Sequence, residues 1–452
     1  MEMRIKKSFR EKKNKQEYSI STGERVSFGL GDFALNGTFT LVSSYLLYYY
    51  TDGAKISLST AGVILLLGRA ADALTSIWAG VMVDKVQTKM GRCRPFLLAG
   101  IVPMMLLMCM LFYMPDFSET QKLIYGCISY ILFSCFYAFL NVPYSTMLSV
   151  VTDKAEERIS FNIYKNFGGN AGAVFVTLLT FSILGIMGTD DNSGYLKTAG
   201  FYAVFFLLSM MICIRYTKER ICEISNTVNN WKDSAMAAAG NKSWLMFIGI
   251  QCLGMLYMII HNQGTFYYTK YYLEKEYLNT ILLTMTPLTC IFCAFILPAF
   301  AKKIKVRNIL TAGHFIVLLS LGGTVAAGKN TAVVIVFAFF TSLGWSIATG
   351  MIFVMLSQLI DRTEKQSNKR PQGLMTSVMT FLMKMGVAMA GYAAPAVLKA
   401  GGYAADTKAE AGALLAIQSN FIYIPAAISI IVIIMSIGYS RMEKREEVYW
   451  EV

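Results

Sequence analysis

Charge is scarce in this chain. Asp, Glu, Lys and Arg make up 15% of its 452 residues, where a soluble protein carries about a quarter. Together with 55% hydrophobic residues, that excludes a pair of soluble domains and an intrinsically disordered chain. A disulfide framework is missing as well. Cys109, Cys127, Cys135, Cys213 and Cys252 lie inside apolar runs, where a thiol behaves as a small hydrophobe. Cys290-x-x-Cys293 also lies in an apolar segment and has no second pair at zinc-ribbon spacing. The two histidines, His261 and His314, stand apart in apolar surroundings and read as structural residues rather than metal ligands. There is no Walker lysine motif, no nucleotide-binding glycine loop after a strand and no metalloprotease signature. Enzymatic or ATP-driven activity, a bound cofactor and a metal are therefore not expected. The first 24 residues are polar and basic, and the first apolar stretch is long enough to stay in a bilayer, so no signal peptide is expected.

What the chain does have is long apolar runs. They fall at 28–50, 59–83, 95–114, 122–150, 161–187, 196–216, 243–269, 278–300, 307–327, 332–360, 372–398 and 413–440. Each is long enough to cross a bilayer as a helix, which predicts an all-α polytopic membrane protein with twelve transmembrane helices. The net charge of +13 lies between these runs, so it is a topology signal and not a nucleic-acid footprint. With twelve spans, 30 Lys and Arg residues fall on the side of the termini and 8 on the opposite side. The positive-inside rule then places both termini in the cytoplasm of a multi-pass cell-membrane protein. The longest charged connection divides the chain into two six-helix bundles. The expected organisation is a basic N-terminus at 1–24, a bundle at 25–216, a cytoplasmic loop at 217–242, a second bundle at 243–440 and a tail at 441–452.

Aromatic clusters at Tyr48-Tyr49-Tyr50, Phe266-Tyr267-Tyr268 and Tyr271-Tyr272 sit at the ends of spans and read as interfacial anchoring belts. Pro143, Pro298 and Pro395 mark kinks inside spans. Thr189-Asp190-Asp191-Asn192 reads as a polar turn.

An ionisable side chain inside a span costs about 2.5–3.5 kcal/mol on insertion scales, so each one needs a partner or a function. Arg69 and Asp72 share a face of span two, with Thr75 and Ser76 on the next turn. That face offers a carboxylate and two hydroxyls to a coupling cation, or else a plain structural Arg69–Asp72 pair. Asp32 and Asn36 lie one turn apart on span one, Asp32 within reach of the interface. Tyr137 and Asn141 share a face of span four, Lys165 opens span five, and Lys384 lies deep in span eleven one turn after Thr380. Amide, hydroxyl, aromatic and ammonium groups converging at mid-membrane suit a polyhydroxylated ligand. The loop Gly80-x-x-x-Asp84-Lys85-x-x-x-Lys89-x-Gly91-Arg92-x-Arg94-Pro95 reads as a conformational latch. In it Gly80 permits close helix approach, Asp84 caps a neighbouring helix end and the basic cluster meets helix ends and lipid phosphates.

Five of these motifs, in order, resemble the glycoside-pentoside-hexuronide:cation symporters of the major facilitator fold. They are Gly29-x-Gly31-Asp32-Phe33 with Tyr48-Tyr49-Tyr50-Thr51-Asp52, then Arg69-x-x-Asp72-Ala73, Gly91-Arg92-x-Arg94-Pro95, Asn141-Val142-Pro143-Tyr144, and Asp361-x-x-Glu364 with Arg370 and Lys384. The resemblance implies two six-helix bundles that rock about a central site and carry a small sugar or glycoside with a coupling cation. It implies a cation site at Asp72 with Thr75, coupled to Lys384. It also implies a cavity lined by Asn36, Tyr137, Asn141, Thr380 and Lys165, which Arg69 joins as a substrate-binding candidate, and a monomer in contact with membrane lipid. The chain departs from melibiose permease where Ser76 replaces a second carboxylate, and where Asn36 and Asn141 stand in place of aspartates. Since one carboxylate is a thin ligand set for Na+, H+ is the expected coupling ion. Two rival readings stay open: a lysolipid carrier of the same fold, and a non-transporting sugar-sensing receptor.

Overall fold

The computed structural model describes residues 20–85, 88, 90–152, 154–188, 192–220, 236, 240–301, 304–367, 372–404 and 410–450. Most of the acidic turn at 189–192, Arg370, much of the 217–242 connection and most of the 1–24 terminus fall outside the described residues, as does the side chain of Asp84. The described chain is built from helices: α1 (Thr22–Tyr48), α2 (Leu58–Lys85), α3 (Arg94–Leu111), α4 (Glu119–Val151), α5 (Ala155–Met187), α6 (Asn192–Tyr216), α7 (Lys242–Tyr267), α8 (Leu278–Ala301), α9 (Val306–Ala327), α10 (Thr331–Thr349), α11 (Ile352–Ser367), α12 (Gln372–Ala400), α13 (Ala411–Gln418) and α14 (Ile424–Trp450). α10 and α11 together make one span, and so do α13 and α14. Eleven spans among the described residues pass on length and apolarity alone. The exception is α1, which carries Asp32, Asn36 and a run of hydroxyl side chains. Its neighbours make it tolerable: α1 is packed inside its bundle against α5 and α6.

Local chemistry sets the helix starts. Ser21 caps α1 by accepting the Glu24 N–H at 3.2 Å, and Asn241 caps α7 by accepting the Trp244 N–H at 3.0 Å. Ser118 and Gln121 form a capping box on α4. Pro143 and Pro395 lie within continuous helices. Two spans differ from single apolar rods. Span ten is interrupted at Gly350–Met351 between α10 and α11, where the Gly350 N–H closes α10 onto the Ser346 carbonyl at 3.0 Å. The last span contains a π-helical turn, Ser419–Tyr423. It aims the Asn420 amide at the Ala394 carbonyl of α12 (2.9 Å).

Within the first bundle α1 meets α5 almost backbone to backbone: a Cβ at Gly168 would collide with the Gly29 carbonyl, and one at Gly172 with the Phe33 carbonyl. This is small-residue packing, which serves a membrane bundle where lipid is as apolar as the side chains. The two bundles touch through α1 with α7, α2 with α12 and α5 with α8.

The aromatic belts expected from the sequence are absent at Tyr48-Tyr49-Tyr50 and Phe266-Tyr267-Tyr268, while Tyr271 and Tyr272 are partly exposed. Tyr49 and Tyr50 are 0% exposed and Tyr267 and Tyr268 1%, so the rings pack into the protein rather than into the lipid interface. They had looked like belts because they lie at span ends. Tertiary packing turned them inward, where Tyr48 stacks on Phe266 at 5.3 Å.

Candidate functional site

Mid-membrane, α2 and α12 place a carboxylate against an ammonium. Lys384 Nζ donates to Asp72 Oδ1 at 2.7 Å, and it also donates to Ser76 Oγ. The Ser76 hydroxyl in turn donates back to the Asp72 carbonyl at 2.8 Å. Asp72 is 4% exposed. Asp72 and Ser76 are four residues apart on one helical face, which is why one ammonium reaches both. This contact bridges the two bundles. Arg69 does not take Asp72 as a hydrogen-bonded partner. It donates to Ser43 Oγ of α1, and its guanidinium lies over the Phe39 ring at 4.9 Å. Thr75 points from α2 toward α4, where its hydroxyl meets Cys135 Sγ at 3.2 Å, so it stands apart from the Lys384 contact.

A second group of polar side chains gathers between α1, α4 and α5. Asp32 and Asn36 both lie against Gly169 of α5, where even a Cβ would collide with Asp32 Oδ2 and come within 2.8 Å of Asn36 Nδ2. Lys165 lies within electrostatic reach of Asp32, with its ammonium 5.6 Å from the centre of the Tyr144 ring. The Tyr144 hydroxyl is already committed to the Phe28 carbonyl at 2.7 Å. Tyr137 lies between the two groups, within reach of the charges of Asp72, Arg69 and Asp32. Asn141 is partly buried on α4. Asp32 belongs in this cluster, and its sequence signal was the one-turn spacing to Asn36.

Toward the side of the termini, two residues of these faces meet no partner from the opposite bundle. Thr380 lies one turn from Lys384 on the same face of α12 and is exposed, its hydroxyl donating only to the Thr376 carbonyl among the bonds seen (2.9 Å). Gly80 continues the Asp72–Ser76 face of α2, and a Cβ there would find nothing within 4 Å. The close helix approach expected at Gly80 is therefore not made in this conformation.

The loop read as a latch is fastened by a residue the sequence did not single out. Glu219, just beyond α6, accepts the backbone N–H groups of Arg92 (2.7 Å), Cys93 (3.0 Å) and Arg94 (2.9 Å). Arg94 Nε donates to the Ile214 carbonyl at 2.9 Å. Gly91 has φ +110° and packs on the Glu219 carboxylate, a conformation that a Cβ would strain. Beside it, Glu24 accepts two bonds from Arg220 at 2.7 and 2.8 Å. Burial alone would raise the Glu24 carboxyl, but the Arg220 pair and the Lys218 N–H outweigh it and hold it below the ordinary 4.5.

His261 lies between Tyr257 and Phe421 and bonds the Phe421 carbonyl at 2.8 Å. No group of three or more potential metal ligands occurs among the described residues.

Twelve helical crossings, a charge pair between two bundles and a polar cluster at mid-membrane are the parts of a carrier. The sequence model of the family described as MFS/sugar transport protein matches residues 27–440. The chain belongs to that family. Within it, the chain is a member of the glycoside-pentoside-hexuronide:cation symporters, a group of transporters and not enzymes. It is 30% identical to the isoprimeverose transporter of Lactiplantibacillus pentosus over 90% of this chain and 86% of that one. It is 24% identical to the glucuronide carrier protein homolog of Escherichia coli (strain K12), over 93% of each. A solved structure described under substrate recognition in proton dependent oligopeptide transporters superposes with a TM-score of 0.69 at 11% identity, covering 94% of this chain and all of that one. That last likeness speaks for the major facilitator fold alone.

Proposed function

We propose that this symporter carries a glycoside, pentoside or hexuronide together with H+ by alternating access, as a monomer in the cell membrane with both termini in the cytoplasm. The observation that carries the coupling reading is the Lys384 ammonium seated on Asp72 and Ser76. A bound Na+ needs several oxygen ligands with compensating negative charge. Here one carboxylate faces one built-in cation, and the second position is an uncharged hydroxyl. A further metal cation would meet a site that is already neutral. A proton instead cancels the Asp72 charge and frees Lys384, which loosens one of the bonds between the bundles. Breaking a buried ion pair by removing one partner costs about 3–5 kcal/mol, enough to couple protonation to a change of conformation.

The sugar reading rests on the second cluster. Asp32, Asn36 and Lys165 supply acceptors and donors for sugar hydroxyls, and the buried Tyr144 ring, stacked on Phe28, backs them. The substrates named for the relatives, together with the polar side chains of this cluster, favour this reading over a lysolipid.

Uptake by proteoliposomes of a pooled panel of labelled glycosides, pentosides and uronates tests it. A pH gradient should drive accumulation and a Na+ gradient should not. Accumulation driven by Na+ alone would overturn the proton assignment. No uptake under either gradient would return weight to the lipid or receptor readings. Ser76→Asp restores a second carboxylate and should make uptake Na+-responsive.

A further inference from the structure

At the end away from the termini, α1 and α7 are built alike. Each helix finishes in a π-helical turn, Tyr49–Gly53 after α1 and Tyr268–Tyr272 after α7. The closing bonds correspond one for one: Ala54 N–H to Tyr49 O (2.7 Å) and Ile56 N–H to Tyr50 O (2.7 Å) in the first, Leu273 N–H to Tyr268 O (2.9 Å) and Lys275 N–H to Thr269 O (2.8 Å) in the second. Each turn is followed by a non-glycine residue of positive φ, Lys55 at 54° and Glu274 at 56°, and these two are the only such residues among those described. A left-handed residue other than glycine is strained and persists only where the surroundings hold it. The two turns hold one another. Asp52, in the first, accepts from Lys270 Nζ (3.1 Å) and the Tyr271 hydroxyl (2.6 Å), both in the second. It also accepts from Tyr403 beyond α12 (3.1 Å) and from Thr51 (2.7 Å). Thr51 shares a further hydrogen bond with Tyr267 at 2.9 Å, and Lys270 donates to the Tyr48 hydroxyl at 3.1 Å. The Asp52 side chain is 3% exposed.

We infer that Asp52, with Lys270, Tyr271 and Tyr403, is the gate that closes the far side of the carrier, and that the paired π turns are the hinged ends it draws together. The inference rests on the alternating-access reading above. Asp52, the buried carboxylate of the cluster, carries bonds from three segments, so opening this face strips most of its donors at once; Glu276, 3.8 Å from Lys270, is exposed. A buried carboxylate cannot stay charged and unsatisfied. Closure is therefore all-or-none, and the face has to open as one unit.

Hydrogen–deuterium exchange of the full chain in nanodiscs tests the gate. In Asp52→Asn, amides at 50–58 and 268–276 should exchange about ten-fold faster or more, and those around Gly80 and Thr380 should become protected as that side closes. Tyr403→Phe removes one donor and keeps the charge, so it should give the same pattern at about two- to five-fold. Tyr403→Phe also carries the test if Asp52→Asn does not fold. Unchanged exchange at the far face overturns the proposal. So does loosening of that face without protection of the opposite one, which would mark a structural cluster and no gate. The wild type with a pooled panel of glycosides, pentosides and uronates separates the two readings. If the pool drives the faces in opposite directions while the variants do not, only the gate fails. If nothing drives them oppositely, alternating access fails with it.

Discussion

Among the described residues two lysine–carboxylate pairs join the bundles, and they are built differently. Asp72 and Lys384 meet mid-membrane with one hydroxyl for company, that of Ser76. Asp52 and Lys270 meet at the far end inside a ring of hydroxyls from Tyr48, Thr51, Tyr271 and Tyr403. A carboxylate with many donors is stabilised in its charged form, whereas one with a single strong partner depends on that partner. The difference suits the two tasks. On the proposed mechanism the sparsely bonded pair exchanges its cation for a proton, and the saturated pair holds a conformation.

Several substitutions would break or sharpen that contrast. The largest effect is expected at mid-membrane, where Asp72→Asn should abolish gradient-driven accumulation while leaving counterflow exchange, both read in proteoliposomes. Accumulation that survives would show that the proton is carried elsewhere. Next comes Lys270→Met, which leaves the buried Asp52 charge without its counter-ion and should cost about 3–5 kcal/mol, seen as a lower Tm. It should not change which cation drives uptake, since the proposed coupling assigns that choice to the other pair. Glu219→Ala should follow, at about 2–4 kcal/mol for three charge-assisted N–H bonds lost. Its unfolding should begin in the first bundle, which limited proteolysis near Gly91 would report. A finer division falls within span two. Thr75→Ala should leave ion preference unchanged because its hydroxyl faces Cys135, while Ser76→Ala removes a Lys384 partner and should shift the pH dependence of uptake.

The smallest effect concerns pH at the face of the termini. Glu24 is held below 4.5 when folded, so its contribution to stability is present above that value and fades as pH falls through the lowered one. Glu24→Gln should therefore be less stable than the wild type at pH 7. In thermal melts the gap should narrow below about pH 4.5 and close in stronger acid. A gap that stays constant would mean that Arg220 does not act through the carboxylate charge.

Much of this was legible in the residues. The twelve apolar runs gave the spans, and i, i+4 spacing put Asp72 and Ser76 on one face, as it did Asp32 and Asn36. Lys384 was marked by its depth, because a lysine twelve residues into an apolar run needs a partner. The far-side cluster was not legible: Tyr48-Tyr49-Tyr50 and Phe266-Tyr267-Tyr268 carry the composition of an interfacial belt, and nothing in either segment points to the other. Glu219 escaped notice for a similar reason. A lone acidic residue after a span looks solvated until three loop N–H groups are seen to converge on it.

The sequence by itself determined that the chain crosses a membrane, how many times, and which helical faces carry charge, because those properties follow from local hydropathy and a 3.6-residue period. Only the tertiary structure decided which charge meets which. Asp72 chose Lys384 over its own neighbour Arg69, Asp52 met Lys270 from the other bundle, and Thr75 turned to a different helix from Ser76. Periodicity tells which side of a helix a residue is on. What lies opposite is fixed by how the helices pack, and in the two charge pairs the partner lies 312 and 218 residues away along the chain.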